Sequence, residues 1–302
     1  MSYAQAQSGK GISQSVAASV LFAFLSGYVT LLKPLDGLAI YAWRVVWTFP
    51  GVLLVVSWRG QWEALRALLA RISREKSLWL VLPLMAALLG SQLWLFMWAP
   101  LHGEAMPVAM GYFLLPFTMV LAGRLFYRER LYRLQWLALA CAMLGVAHEL
   151  WLTRQLSWST VWVMTGYPPY FMLRRWARLD AITGMAVEIG LMLPAALWML
   201  FTQDPSGWGV LHRPVFWLLL PGLGVISTVA LVCYLSASRA LPLGLMGILG
   251  YVEPALLFVM AITLLGEPIT AAQWLTYGPI WLAVLLITSH TVLHQRSLRH
   301  HA

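Results

Sequence analysis

Three ionisable side chains stand inside long apolar runs of this 302-residue chain: Arg44, Glu188 and Glu253. A charge held away from water must pair with another, face an aqueous cavity or give up its charge. Each solution is a kind of chemistry: ion pairing, solute binding or proton carriage. Glu253 lies about ten residues into its run, roughly 15 Å deep at about 1.5 Å per helical residue, too far to reach outside water. Glu188 sits in the first half of its run. Arg44 is close to the start of its own, so it reads either as a charge partner for a solute or as a side chain that snorkels to the surface.

Around these stand side chains with an apolar body and a polar handle. Tyr112, Tyr167, Tyr234 and Tyr251, with Gln92, suit the gripping of a polar solute in a mostly apolar cavity. With 17 Trp in the chain, most aromatics are expected in interfacial belts or packing rather than against a solute. Gly244, Gly247 and Gly250 read as close helix packing.

Motifs for catalysis are missing. The chain has no Gly-x-Ser-x-Gly, no phosphate-cradling Gly-Lys-Ser/Thr loop and no His-Glu-x-x-His. His290 and His294 share a helix face, and a solvated helix end accounts for them better than a metal does. Cys141 and Cys233 lack ligand spacing and read as buried packing residues. No metal or cofactor is expected. The alternative function, an intramembrane enzyme acting on a lipid-linked substrate, needs a nucleophile–base or metal constellation. The scattered His102, His148 and His212 do not provide one.

The elements that must position these residues are apolar helices. The chain is 61% hydrophobic and 10% charged, whereas soluble domains carry about 25% charged residues. Ten apolar runs lie near residues 12–32, 39–57, 78–98, 105–126, 133–152, 157–173, 183–202, 214–236, 243–265 and 271–290. A helix of roughly 20 residues crosses a bilayer, and in lipid only such a helix satisfies its own backbone groups within one segment. The expected fold is an all-α polytopic membrane protein with ten transmembrane helices. Residues 58–77 should form an amphipathic surface connector, and Pro168-Pro169 should interrupt the sixth span.

The net charge of +9 follows topology. With the N-terminus cytoplasmic, sixteen of the twenty Lys and Arg fall in inner loops and the tail, Arg174 among them. Lys33, Arg154 and Arg213 fall outside. That bias places both termini in the cytoplasm, as tails 1–11 and 291–302. Basicity of this kind excludes nucleic acid as the partner and leaves the lipid bilayer.

The chain also repeats itself. Pro116, Glu129 and Gln135-Trp136-Leu137 recur 138 residues later as Pro254, Glu267 and Gln273-Trp274-Leu275. Gly27-Tyr28 matches Gly166-Tyr167. The loop after the first copy is basic (Arg124, Arg128, Arg130, Arg133), whereas the second copy keeps its Glu and has no Lys or Arg. Five spans per copy is an odd number, so the halves 12–152 and 157–290 should be inverted five-helix repeats, the architecture of secondary transporters.

At these residues the chain resembles a known family. Gly111-Tyr112-Phe113-Leu-Leu-Pro116, Glu129-Arg130-Leu131, Gln135-Trp136 and Trp43-Arg44-Val45-Val46-Trp47 resemble the first EamA repeat of RarD-type permeases, in the drug/metabolite transporter superfamily. Ala240-Leu241-Pro242-Leu243, Gly266-Glu267-Pro268 and Ile280-Trp281-Leu282-Ala283 resemble the second. The resemblance implies two inverted EamA repeats in the cell inner membrane and export of small metabolites. Arg44 and Glu188 match positions recurrent in RarD-like sequences. Glu253 stands where such chains carry a small apolar residue, and Tyr-Val-Glu-Pro-Ala is similar to amino-acid exporters of the same superfamily. That departure implies a zwitterionic or carboxylate-bearing solute, such as an amino acid or an opine-type metallophore.

The expected function is therefore a secondary transporter, not an enzyme, exporting a small polar or zwitterionic metabolite by alternating access. Arg44, Gln92, Tyr112, Tyr167, Glu188, Tyr234, Tyr251 and Glu253 are its candidate binding residues, with protons as a candidate coupling ion. Nothing in the sequence specifies an oligomeric state.

Overall fold

The computed structural model describes residues 3–99, 102, 104–153, 157–202, 208–253, 255–256, 274–275, 278–279, 281–283 and 285–286. Its helices are α1 (Tyr3–Tyr28), α2 (Gly37–Trp58), α3 (Trp62–Arg74), α4 (Lys76–Trp98), α5 (Ala105–Tyr127), α6 (Arg133–Thr153), α7 (Trp158–Trp176), α8 (Ala181–Thr202), α9 (Phe216–Ala240) and α10 (Leu243–Leu249). Among the described residues there is no strand.

Among the described residues seven helices are long and apolar enough to cross a bilayer: Gly9–Leu32, Gly37–Trp58, Lys76–Trp98, Pro107–Tyr127, Arg133–Leu152, Ala181–Thr202 and Phe216–Ala240. They coincide with seven of the ten expected runs. The expected sixth run forms α7, whose last turn carries Arg174 and Arg175 and so dilutes its apolar character. The ninth run is described as far as Leu256 apart from Pro254, and the tenth only in part; Glu267, Gln273 and the histidines from His290 onward lie outside the described residues.

The chain divides into two packing units, and both draw on both sequence halves. One takes Met1–Ala23, Met106–Pro168 and Ala237–Ala302; the other takes Phe24–Ala105 and Pro169–Ser236. In the second unit α2 packs chiefly on α8, α4 lies against both, and α3 touches α4 and α8. The buried stripe of α2 (Tyr41, Val45, Thr48, Val52, Val56) recurs every three or four residues, the spacing of one helix face. The outward faces stay apolar: Leu80 and Trp58 are 75% and 82% exposed, which suits lipid rather than water.

Local chemistry sets the helix ends. Asp36 accepts from the Ala39 N–H at 2.7 Å and starts α2. Gln135 reaches back to accept from the Tyr132 N–H at 2.9 Å, the return arm of a capping box at the start of α6. α7 ends with Arg178 in the left-handed region (φ 51), and the Leu179 N–H meets the Arg174 carbonyl at 3.4 Å, as in a Schellman turn.

The expected break at Pro168-Pro169 does not occur; α7 runs through both prolines. Pro168 has no N–H for the Met164 carbonyl four residues back. The Thr118 hydroxyl of α5 donates to that carbonyl instead, at 2.5 Å. The freed acceptor is satisfied by a neighbouring helix, so the helix need not open.

Gly247 lies where α10 approaches α5. A Cβ there would stand 2.6 Å from the Met119 Cβ and 3.1 Å from the Pro116 carbonyl oxygen. Gly247→Leu is expected to destabilise the protein by about 1–3 kcal/mol through overpacking. Gly209, around which no atom lies within 4 Å of such a Cβ, should accept Ala without effect. Thermal unfolding of the two variants in detergent micelles checks the difference.

Candidate functional site

Four of the expected binding residues belong to the unit built on α2, α4, α8 and α9. Arg44 is 2% exposed, and its Nε donates to the Ser227 hydroxyl at 3.0 Å. Ser227 is at the middle of α9. The guanidinium thus reaches inward toward the helix centre rather than snorkelling to a surface. Small residues permit this closeness: a Cβ on Gly224 would meet Trp47, and one on Gly51 would meet Thr228, whose hydroxyl donates to the Gly224 carbonyl at 2.7 Å. Gln92 is equally buried on α4, two residues beyond Gly90, which admits the Tyr41 hydroxyl from α2.

Glu188 is fully buried and both its oxygens are engaged. Arg174 Nη1 donates to Oε1 at 2.5 Å, and the Tyr170 hydroxyl donates to Oε2 at 3.0 Å. Arg174 Nη1 also reaches the Tyr170 oxygen at 3.3 Å, while Nη2 donates to the carbonyls of Asp180 and Ala181 at 2.8 and 3.0 Å. Arg174, assigned from the sequence to a cytoplasmic loop, is thus corrected to a buried partner of Glu188. The short turn at 177–180 folds α7 and α8 into an antiparallel hairpin, which brings the last turn of one against the opening turns of the other. Gly184, one turn before Glu188 on the same face, leaves room for the guanidinium: a Cβ there would lie 3.0 Å from Nη2. Asp180 caps α8 by accepting from the Ile182 and Thr183 N–H groups at 3.0 and 3.4 Å.

Tyr234 connects to this cluster through rings. Its centroid lies 5.4 Å from Phe171, edge to face, and Phe171 lies 5.1 Å from Tyr170. One chain of contacts therefore joins Glu188 to Tyr234.

The other four expected residues belong to the first unit. Tyr112 on α5 and Tyr167 on α7 approach with centroids 6.2 Å apart. Their helices are held together by the Thr160 hydroxyl on the Pro107 carbonyl at 2.7 Å. Tyr251 is fully buried, and its hydroxyl has no hydrogen-bond partner among the described residues. Glu253 is half-buried just beyond α10. Glu129, which the sequence marks as a repeated residue and as part of the family resemblance, grips the start of α10. Its Oε1 and Oε2 accept from the Leu243 and Gly244 N–H groups, each at 2.8 Å.

Among the described residues no group of three His, Cys, Asp or Glu could hold a metal. Cys141 and Cys233 are free, half-buried thiols.

These helices belong to a protein with well-matched relatives. The chain is 50% identical over 279 residues to the chloramphenicol-sensitive protein RarD of Pseudomonas aeruginosa, covering 92% of this chain and 93% of that one. It belongs to the RarD-like permeases, EamA-type members of the drug/metabolite transporter superfamily. This RarD-like permease is also 36% identical to an uncharacterized transporter of Haemophilus influenzae over 292 residues, 96% of this chain and 97% of the other. It is 30% identical to protein RarD of Salmonella typhi over 292 residues, 96% and 98% of the two chains. No family model matches it. A crystal structure of a protein 15% identical to it superposes with a TM-score of 0.68 over 93% of this chain and 98% of that one, a likeness of fold alone. The RarD-like permease is a multi-pass membrane transporter.

Proposed function

We propose that this permease is a secondary transporter of the inner membrane that exports a small polar or zwitterionic metabolite by alternating access. Its ten helices form two inverted five-helix repeats, 12–152 and 157–290, and both termini are cytoplasmic. The observation that carries this reading is Arg44, a buried cation on a membrane-spanning helix directed at the middle of another. Such a charge is costly in lipid and marks a solute or ion path. It supplies the charge that a carboxylate-bearing solute, an amino acid or an opine-type metallophore, would need. Gln92, Glu188 and Tyr234 complete the candidate set in the same unit, and Tyr112, Tyr167, Tyr251 and Glu253 form that of the other.

The test is uptake of labelled amino acids into proteoliposomes under an imposed pH gradient. The chloramphenicol of the Pseudomonas relative's name serves as a competitor. Arg44→Gln is expected to lower uptake of carboxylate-bearing solutes at least about tenfold, the worth of one charged hydrogen bond. Glu253→Gln is expected to remove the dependence on the pH gradient. Wild-type uptake by Arg44→Gln would sink the proposal for the solute, and an unchanged gradient dependence would take Glu253 out of coupling.

A further inference from the structure

The helix between the first two spans of one unit carries a cluster of cations with no role in the machinery above. α3 packs Leu65 and Leu68 inward, and Arg71 ties its end to the α7–α8 turn by donating to the Ala177 carbonyl at 2.7 Å. Arg74 lies one turn beyond Arg71 on the same helix face, and Arg178 is the residue after Ala177. Arg74, Lys76 and Arg178 are all exposed and lie within five residues of this contact along the chain, which sets the three cations at one corner of the unit. The acidic groups nearby are engaged elsewhere: Glu75 is paired with Arg71 at 2.8 and 3.0 Å, and Asp180 caps α8.

Two further observations bear on this corner. Arg178 holds a positive φ of 51, a conformation that favours glycine and costs a side-chain-bearing residue stability. The Arg178 side chain is therefore carried at a cost in backbone energy. Below Lys76, the residues Leu80 and Leu84 continue the same face of α4 and are 75% and 46% exposed, with Trp79 beside them. Charge at the head and an apolar stripe beneath is the outline of a lipid.

We propose that Arg74, Lys76 and Arg178 bind the phosphodiester of an anionic glycerophospholipid whose acyl chains lie along the Lys76–Leu80–Leu84 stripe of α4. Guanidinium groups suit this task because they meet phosphate oxygens in pairs. A zwitterionic headgroup, whose own cation competes for the phosphate, binds here more weakly.

The test is thermal unfolding of the full-length protein in a neutral detergent, titrated with phosphatidylglycerol, phosphatidylcholine or inorganic phosphate. Phosphatidylglycerol is expected to raise Tm in a saturating manner by about 5 °C, phosphatidylcholine by less than half of that, and phosphate alone by nothing. Arg74→Gln/Arg178→Gln should raise the half-saturating phosphatidylglycerol concentration at least tenfold. Arg178→Gly relieves the left-handed backbone, so it should raise the lipid-free Tm and still weaken the phosphatidylglycerol response. A site that is merely structural cannot give that opposition, and it keeps the test decisive if the double variant folds poorly. Equal responses to the two lipids, an equal shift with inorganic phosphate, or a full response from Arg178→Gly would each overturn the proposal.

Discussion

Glu188→Leu is expected to destabilise the protein by about 3–5 kcal/mol, because it leaves the Arg174 guanidinium buried without its carboxylate. Arg174 is 3% exposed and Glu188 is fully buried. The two remaining carbonyl acceptors, on Asp180 and Ala181, hydrogen-bond the cation without neutralising it. Arg174→Met should cost a similar amount, since it strands the carboxylate with only the Tyr170 hydroxyl. The double variant Arg174→Met/Glu188→Leu removes both charges and should recover most of the loss, as apolar replacements of buried pairs often do. Chemical or thermal unfolding of all four proteins in one detergent gives the coupling directly. If the two single losses simply add in the double variant, the pair is not an energetic unit.

The same four proteins separate structure from transport. If Glu188 serves only to neutralise Arg174, the double variant should transport like wild type once it folds. If the solute needs either charge, the double variant will be stable and inactive. That distinction matters because both Glu188 oxygens are engaged in this structure, so a solute can reach the carboxylate only by opening the pair.

Seven spans were legible because runs of roughly 20 apolar residues leave the backbone no other structure in lipid. The buried pair was not legible. Arg174 stands beside Arg175 at the end of an apolar run, and a basic doublet there reads as the cytoplasmic edge. What placed it inside is the tightness of the turn at 177–180, a tertiary fact that hydropathy does not carry. A signal did exist: a carboxylate inside a span demands a cation, and Arg174 is the cation one hairpin away. Arg44 was recognised as a buried-charge candidate, but its partner Ser227 was not, because a serine in an apolar helix has no sequence mark that distinguishes ligand from filler. At Pro168-Pro169 the sequence showed two missing donors and could not show the Thr118 hydroxyl that replaces one of them. The recurring Gln135 and Glu129 were visible as repeats before their work was: one caps α6 and the other holds α10.

Glu129→Ala is expected to cost about 2–4 kcal/mol, the loss of two charge-assisted hydrogen bonds at a partly buried helix start. The reason begins with Pro242. It occupies the N-cap of α10 in an extended conformation and offers no side-chain acceptor to the N–H groups that follow. Those of Leu243 and Gly244 would be left without a partner. Glu129 supplies both acceptors from another part of the chain, and its negative charge faces the positive end of the helix dipole. Its position depends on Arg128, whose φ of 53 turns the chain back so that the Glu129 N–H meets the Gly123 carbonyl at 3.1 Å. Glu129→Gln keeps one acceptor and loses the charge, so about half of the effect should remain. Glu129→Asp keeps the charge but is one methylene too short to reach both N–H groups, and should fall between Gln and Ala. Thermal unfolding of the three variants in one detergent ranks them. Equal losses from Gln and Ala would mean that a single neutral acceptor contributes nothing and that only the charged pair of oxygens holds α10 in place.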